Sequence, residues 1–459
     1  MFARPLAATL VLVALVLAAR LPLAGPLADR GEAAPGGTAT VSKPRDGRAF
    51  THPSNGMSLE RRLDFGLGDA LFRKLWASSP SSTTASDGLG PLFNARSCES
   101  CHRRDGRGVV PAPGESAVSL VLRLGLPDGG PEPTYGHQLQ NFAIQGLAPE
   151  GRLTVTYEEE PVTLAGGEVA LLRRPIYGVA DLGAGPMAPD VRWSARVAPP
   201  MIGLGLLEAI PEAAILAHAD PDDTDGDGIS GRAQRLADGR LGRFGWKAVQ
   251  PDVAAQAADA FATDIGISTP LERRSHGDCT PRQTACLAAP VGDDPVEGVE
   301  VTAQMFDYAV FYARHLAVPA RPAAGEPAVL AGRAVFMASG CAACHVPAFE
   351  TGRDGIDPEL AGQRIYPYTD LLLHDLGPGL ADAKAEGLAG GAEWRTAPLW
   401  GIGLTRQVTG RTEFLHDGRA RSLLEAILWH GGEAASARAA VVALSPADRA
   451  LLITFLNAL

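Results

Sequence analysis

The chain has 459 residues, 46% hydrophobic and 20% charged, enough for two or three globular units with a substantial core. With 41 basic against 52 acidic residues the formal charge is -11, so nothing offsets repulsion from a phosphate backbone and nucleic-acid binding is excluded. An acidic surface suits a basic protein partner, and equally serves plain solubility.

Met1-Phe2-Ala3-Arg4 and the apolar run from Leu6 to Ala19, broken only by Thr9, have the charged start and short apolar core of a secretory signal. The run is too short for a comfortable membrane span. Arg20 interrupts it, and the small residues that follow offer several cleavage positions, none a clean A-x-A. Residues 1–28 are read as a signal peptide, with an uncleaved membrane anchor as the alternative. Residues 29–50, rich in Gly, Ala, Pro and charge without an apolar period, predict a flexible tether.

From Leu59 to Trp76, apolar Leu63, Leu67, Leu71, Phe72 and Leu75 keep helical spacing. This helix leads through a Ser/Thr/Gly loop into Cys98-Glu99-Ser100-Cys101-His102. A second copy, Cys341-Ala342-Ala343-Cys344-His345, follows another predicted helix, Val329 to Met337. In C-x-x-C-H two thiols bond the vinyl groups of a haem and the histidine ligates its iron. The pair therefore predicts two covalent c-type haems with His102 and His345 as proximal ligands. Chance would supply such a motif on the order of 0.002 times at these residue frequencies. The rivals fit less well: zinc wants further ligands at similar spacing, and a redox dithiol needs no histidine after both copies. Because c-type haem is attached outside the cytoplasm, the motifs agree with export to the periplasm.

Between the first motif and residue 190, Tyr-, Thr-, Val- and Gly-containing stretches such as Leu153-Thr154-Val155-Thr156-Tyr157 predict a few short strands. Arg196-Val197-Ala198-Pro199 ahead of Gly203-Leu204-Gly205-Leu206 is echoed by Arg395-Thr396-Ala397-Pro398 ahead of Gly401-Ile402-Gly403-Leu404. Their parallel positions after each motif support a duplicated unit. Asp223, Asp225 and Asp227 alternate before Gly228 like the start of a calcium loop, whose hard carboxylates would otherwise repel one another. Gln234 stands at the twelfth position, so an EF-hand sensor is not expected; a structural calcium is, against a solvated acidic turn. Cys279 and Cys286 lie seven apart and are expected to pair in an oxidising compartment, worth roughly 2 to 3 kcal/mol on the chain-entropy model. Two free thiols in a reductive reaction are the alternative. The Ala- and Pro-rich stretch 319–327 predicts a linker between an N-terminal domain, 51–318, and a C-terminal one, 328–459. Ser445 and Pro446 open a terminal helix with Leu451, Leu452, Phe455, Leu456 and Leu459 on one face. The expected fold is mainly α, with two cytochrome c-like haem domains, long loops and a few short strands inserted in the first.

Function turns on what faces the far side of each iron. His430 follows the predicted helix Ser422 to Trp429 and precedes Gly431-Gly432. A helix end that unwinds at glycine can turn a ligand inward, while a histidine there is also favoured by the helix dipole alone.

The two C-x-x-C-H motifs, the R-x-A-P segments and Phe414-Leu415-His416-Asp417-Gly418-Arg419-Ala420 together resemble bacterial di-haem cytochrome c peroxidases and MauG-type enzymes. More closely, they resemble the di-haem oxidoreductase family, sometimes labelled thiol oxidoreductases, over nearly all the mature chain. In these peroxidases a methionine after the corresponding helix ligates the C-terminal haem, and in MauG-type enzymes a tyrosine does. His430 holds that place here, so the resemblance implies bis-histidine ligation by His345 and His430 and a lower potential than methionine would give. On the N-terminal haem the family places an open or labile site beside an acid-base carboxylate. Glu208 and Glu212, one helical turn apart, are the candidates, with a solvated helix-start glutamate as the alternative for either. His137 is a candidate cap on that iron, and otherwise a surface or pocket residue. Trp193 stands near where the family carries a tryptophan between its haems, as an electron relay or as ordinary packing; Trp246 is the runner-up. The family also holds calcium between its haem domains.

These readings converge on a periplasmic di-haem oxidoreductase that reduces hydrogen peroxide with electrons from a small cytochrome c or cupredoxin. It meets a membrane only if the N-terminal segment is uncleaved. MauG-like oxidation of a protein substrate, and a pure electron carrier with both haems six-coordinate, are the alternatives. Thiol oxidation would need reactive thiols that six cysteines hardly supply.

Overall fold

The computed structural model describes residues 30–83, 86–112 and 114–459. The expected signal or anchor lies outside the described residues. Among those, no helix is long and apolar enough to cross a membrane.

One unit recurs around the two motifs. The helix Leu59–Arg73 packs against the helix Ala303–His315, and the helix Pro327–Ala338 packs against the terminal helix Pro446–Ala458. A glycine sits at each crossing: a Cβ on Gly68 would collide with the Tyr308 carbonyl and one on Gly332 with the Leu451 carbonyl, so the axes approach more closely than a side chain allows. Each leading helix then presents a phenylalanine to its motif histidine, Phe72 at 6.1 Å from His102 and Phe336 at 6.4 Å from His345, ring centre to ring centre. Behind them Tyr312 and Phe455 complete the stacks, each at 5.2 Å.

The face of the first helix differs from expectation. Its buried side is Phe65, Gly68 and Phe72, while Leu63 is 64% and Leu67 48% exposed. The period was legible; the orientation was set by the aromatic contacts with Tyr312 at 4.7 and 5.2 Å, which bury more surface than a leucine stripe.

Helix makes up 29% and strand 15% of the described residues, so the fold is mixed rather than mainly α. Leu120–Gly125 pairs antiparallel with Arg192–Val197. Between them a hairpin of two 12-residue strands, Arg152–Thr163 and Val169–Ala180, replaces the short strands expected. This hairpin reaches the C-terminal half: Arg173 donates to the Gly418 and Arg419 carbonyls at 2.8 and 3.0 Å, and the Tyr177 hydroxyl donates to Asp417 at 2.8 Å.

Residues 30–50 are not a free tether. Short helical turns at Arg30–Ala33 and Gly37–Ala39 place Glu32, 1% exposed, where it accepts from Arg321 at 3.2 Å, Arg333 at 2.8 Å and Tyr368 at 3.0 Å. Val41 bridges Pro319, so the expected linker is held as well. Gly, Ala and Pro announce the loss of regular structure, but a buried acid with three donors pins an irregular segment.

Candidate active site

A cavity of about 660 Å³ takes in both C-x-x-C-H motifs. Cys98–Cys101 is a single helical turn capped by Ser97, whose hydroxyl accepts from the Ser100 amide at 3.2 Å. His102 donates its Nδ1 hydrogen to the Pro199 carbonyl at 2.8 Å, and His345 donates to the Tyr368 carbonyl at 2.9 Å. A carbonyl only accepts, so Nδ1 carries the proton and Nε2 is left for a metal. Burial lowers both imidazoles to about 4, which keeps them neutral as ligation requires. None of the four motif thiols is in a disulfide. Burial raises Cys98 to about 12 and Cys341 to about 11, the opposite of what a reactive dithiol needs.

His430 lines the same cavity. It caps the helix Leu423–Trp429 and donates Nδ1 to the Ala426 carbonyl at 2.8 Å, which again frees Nε2. Burial lowers its pKa, and it lines the cavity together with His345. The other nearby histidines are otherwise engaged. His374 is bonded to Asp370 at 2.8 Å and Glu433 at 2.7 Å; burial lowers its pKa, but Asp370, Cys344 and Glu433 overcome this and raise it to about 12. Held as an imidazolium, it has no lone pair to offer. His416 stacks on Trp394 at 3.7 Å, and burial drives it to about 3.

The carboxylates differ from expectation. Pro211 separates the helix Leu204–Glu208 from the helix Glu212–Leu216, so the two glutamates do not share one helical face. Glu208 is chelated by Arg314 at 2.6 and 3.0 Å. Glu212 is exposed and paired with Arg235 at 2.7 Å. Neither lines the cavity.

Asp264 does, beside the first motif, where it raises the pKa of Cys98. It accepts from the Gln138 amide at 2.7 Å. Gln138 in turn meets Arg123 at 3.4 Å, and Arg123 meets Asp259 at 3.6 Å. Burial, opposed by Gln138 and Arg123, raises Asp264 to about 6. No motif marks it. It sits in an i→i+5 turn, Phe261–Ile265, a departure from α geometry common at functional sites. The Asp252 cap and Gly266 bracket the segment.

Trp193 pairs with Leu124 in its strand and is not on the cavity wall, whereas Trp246 and Trp394 are. Trp246 is fixed by donation to the Val197 carbonyl at 2.8 Å. His137, its side chain 48% exposed, bonds Asp278 at 2.9 Å and stays outside the cavity. In the acidic loop the carboxylates that gather are Asp220, Asp223 and Asp225, within 4.8 Å of one another. Asp227 lies instead on the cavity wall. Cys279 and Cys286 are joined in a disulfide, Cα atoms 6.1 Å apart.

Three guanidinium nitrogens on the cavity residues, Arg107 Nε, Arg123 Nε and Arg196 Nη2, are buried without an acceptor. Such orphaned donors are costly, and carboxylate arms of a bound group would satisfy them. Two thiol pairs, neutral histidines with free Nε2 atoms, apolar walls and buried cationic donors together fit two haems.

No curated protein matches the chain. Among solved structures it is similar to a chain of Kuenenia stuttgartiensis hydrazine synthase, at 14% identity and a TM-score of 0.34, over 86% of this chain and 92% of that one. The model of the family described as "Di-haem oxidoreductase, putative peroxidase" matches residues 29–124 and 138–459, and the chain belongs to that family.

Proposed function

We propose that the chain is a periplasmic c-type peroxidase that reduces hydrogen peroxide with electrons from a small cytochrome c or cupredoxin. Cys98 and Cys101, and Cys341 and Cys344, would hold the two haems by thioether bonds, with His102 and His345 as proximal ligands and His430 as the second ligand at the C-terminal centre. Haem iron supplies the electrons and the peroxide-binding site. One observation carries the reading: a single cavity takes in both motifs, with a carboxylate–amide–guanidinium cluster beside the first and a free histidine beside the second.

That asymmetry divides the labour. Asp264 takes the proton of bound hydrogen peroxide and returns it to the oxygen that leaves as water, a task suited to a carboxyl near 6. Gln138 fixes the orientation of that carboxylate through its 2.7 Å bond. Arg123 offers a buried positive charge to the negative charge that develops on oxygen. Trp246, on the wall of the shared cavity, is the relay between the centres. Asp220, Asp223 and Asp225 would hold a structural calcium through hard oxygen ligands.

Electron paramagnetic resonance of the oxidised and half-reduced holoprotein tests the reading. The expected result is a low-spin ferric resonance in the oxidised protein and a high-spin ferric resonance, present at the outset or appearing on half-reduction, that responds to peroxide. Only low-spin resonances in either state, without peroxide turnover, would make the chain an electron carrier.

A further inference from the structure

The segment that delivers Gln138 to the cavity is anchored in the core by Tyr135 and Leu139, and it is also gripped from outside by a loop that the proposed chemistry leaves unused. Asp278, 9% exposed, accepts the His137 amide at 2.5 Å, the Gln138 amide at 3.0 Å and His137 Nδ1 at 2.9 Å. Two residues further, the Thr280 hydroxyl donates to the Thr134 carbonyl at 2.9 Å. Gln283 bonds Glu150 at 2.5 Å, and the other oxygen of Glu150 accepts the Gln140 amide at 2.6 Å. All three gripping residues, Asp278, Thr280 and Gln283, belong to or adjoin the ring closed by Cys279 and Cys286.

The same loop touches the turn that carries Asp264. A Cβ on Gly277, whose φ is +58°, would stand 2.6 Å from the Gly266 Cα and 2.8 Å from the Ala262 carbonyl oxygen. A Cβ on Gly136, φ +70°, would stand 2.5 Å from the Asp278 carboxylate. Both close approaches exist only because glycine stands there. One loop thus contacts Gln138 itself and the turn that carries Asp264.

We propose that the Cys279–Cys286 ring is a clamp on the first centre and that Asp278 is its positioning residue, holding Gln138 against Asp264; the functional consequence rests on the peroxidase reading above. Opening the ring loosens the clamp. A phosphine with water does this: the S–S bond breaks, two thiols form, and the phosphine leaves as its oxide. Released from the ring, Asp278 no longer fixes the two amides, and the Gln138 side chain loses its fixed approach to the cavity.

Hydrogen exchange of the holoprotein, read by mass spectrometry over peptides spanning residues 134–142, tests the clamp directly. Exchange at the His137 and Gln138 amides should rise about tenfold or more in phosphine-reduced protein, in the Cys279→Ser/Cys286→Ser variant and in Asp278→Asn. The pH midpoint of peroxide turnover should shift in the same three samples. Reduction of already folded protein keeps the test decisive if the double variant does not fold. Unchanged exchange after confirmed reduction and in Asp278→Asn overturns the proposal. Raised exchange with Asp264→Asn still turning over at the wild-type rate supports the clamp and refutes the acid-base assignment instead.

Discussion

Burial sorts the titratable residues around the cavity into their roles. His102 and His345 are pushed down to about 4 and stay neutral, His374 is raised to about 12 by its carboxylate partners, and Asp264 is raised to about 6. A carboxyl at about 6 is protonated below that pH and ionised above it, so it can take a proton from peroxide only on the alkaline side. Turnover should therefore climb as pH rises through about 6. Asp264→Asn should abolish this limb and lower peroxide turnover by roughly 100-fold or more, with both haem spectra intact. The C-x-x-C-H residues stand out in the sequence because the proposed covalent attachment demands adjacent positions in the chain. Asp264 does not, because a carboxylate with the proposed acid-base role needs proximity in space alone, and Glu208 is nearer the recognisable R-x-A-P segment only in sequence.

The ligand assignment makes a second, separable prediction. His430 keeps Nε2 free while donating Nδ1 to Ala426, whereas His416 is sandwiched against Trp394 at 3.7 Å. His430→Ala should convert a low-spin resonance to a high-spin one and raise the potential of that centre, since a ligand that favours oxidised iron is lost. His416→Ala should disturb packing and leave the spin state unchanged. An unaltered resonance in His430→Ala would remove it from the ligand set.

At the level of elements, periodicity found the helices but not always their faces. The helix Leu59–Arg73 was expected from Leu63, Leu67, Leu71, Phe72 and Leu75, yet Leu63, Leu67 and Leu75 are exposed, while Phe65 joins Phe72 against Tyr312. The recurring glycine at the helix crossing, Gly68 and Gly332, escaped notice because a single Gly in a helical stretch carries no signal by itself. The inverted face has a measurable consequence. Phe72→Ala should cost about 3–5 kcal/mol, seen as a fall in thermal stability, because it opens a cavity between Tyr312 and the first motif. Leu63→Ala should change stability by less than about 0.5 kcal/mol, since its side chain is already in water. Equal losses from the two would put the leucines back in the core.

Across the whole molecule, the segments that composition marked as loose are the ones that fasten the halves together. Glu32 lies 289 residues from Arg321 and 336 from Tyr368, separations that no local pattern could reveal, and the long hairpin crosses to Asp417 and Arg419 in the same way. What was legible was the duplicated unit; what was not was the strapping between its copies, since long-range ion pairs leave no spacing in the chain. Glu32 makes the test. With both cations drawn to one buried carboxylate, removing the carboxylate leaves the buried Arg321 guanidinium, and the partly buried one of Arg333, without their counter-charge, which costs about 3–5 kcal/mol. Glu32→Ala should therefore lower the melting temperature and open two stretches to proteolysis together, residues 30–41 and 319–327, because Val41 and Pro319 bridge each other. The spectra of both centres should stay as in the wild type until the melt begins, since neither Glu32 nor Arg321 lines the cavity. Cleavage confined to the N-terminal stretch would show that the 319–327 segment is held by other contacts.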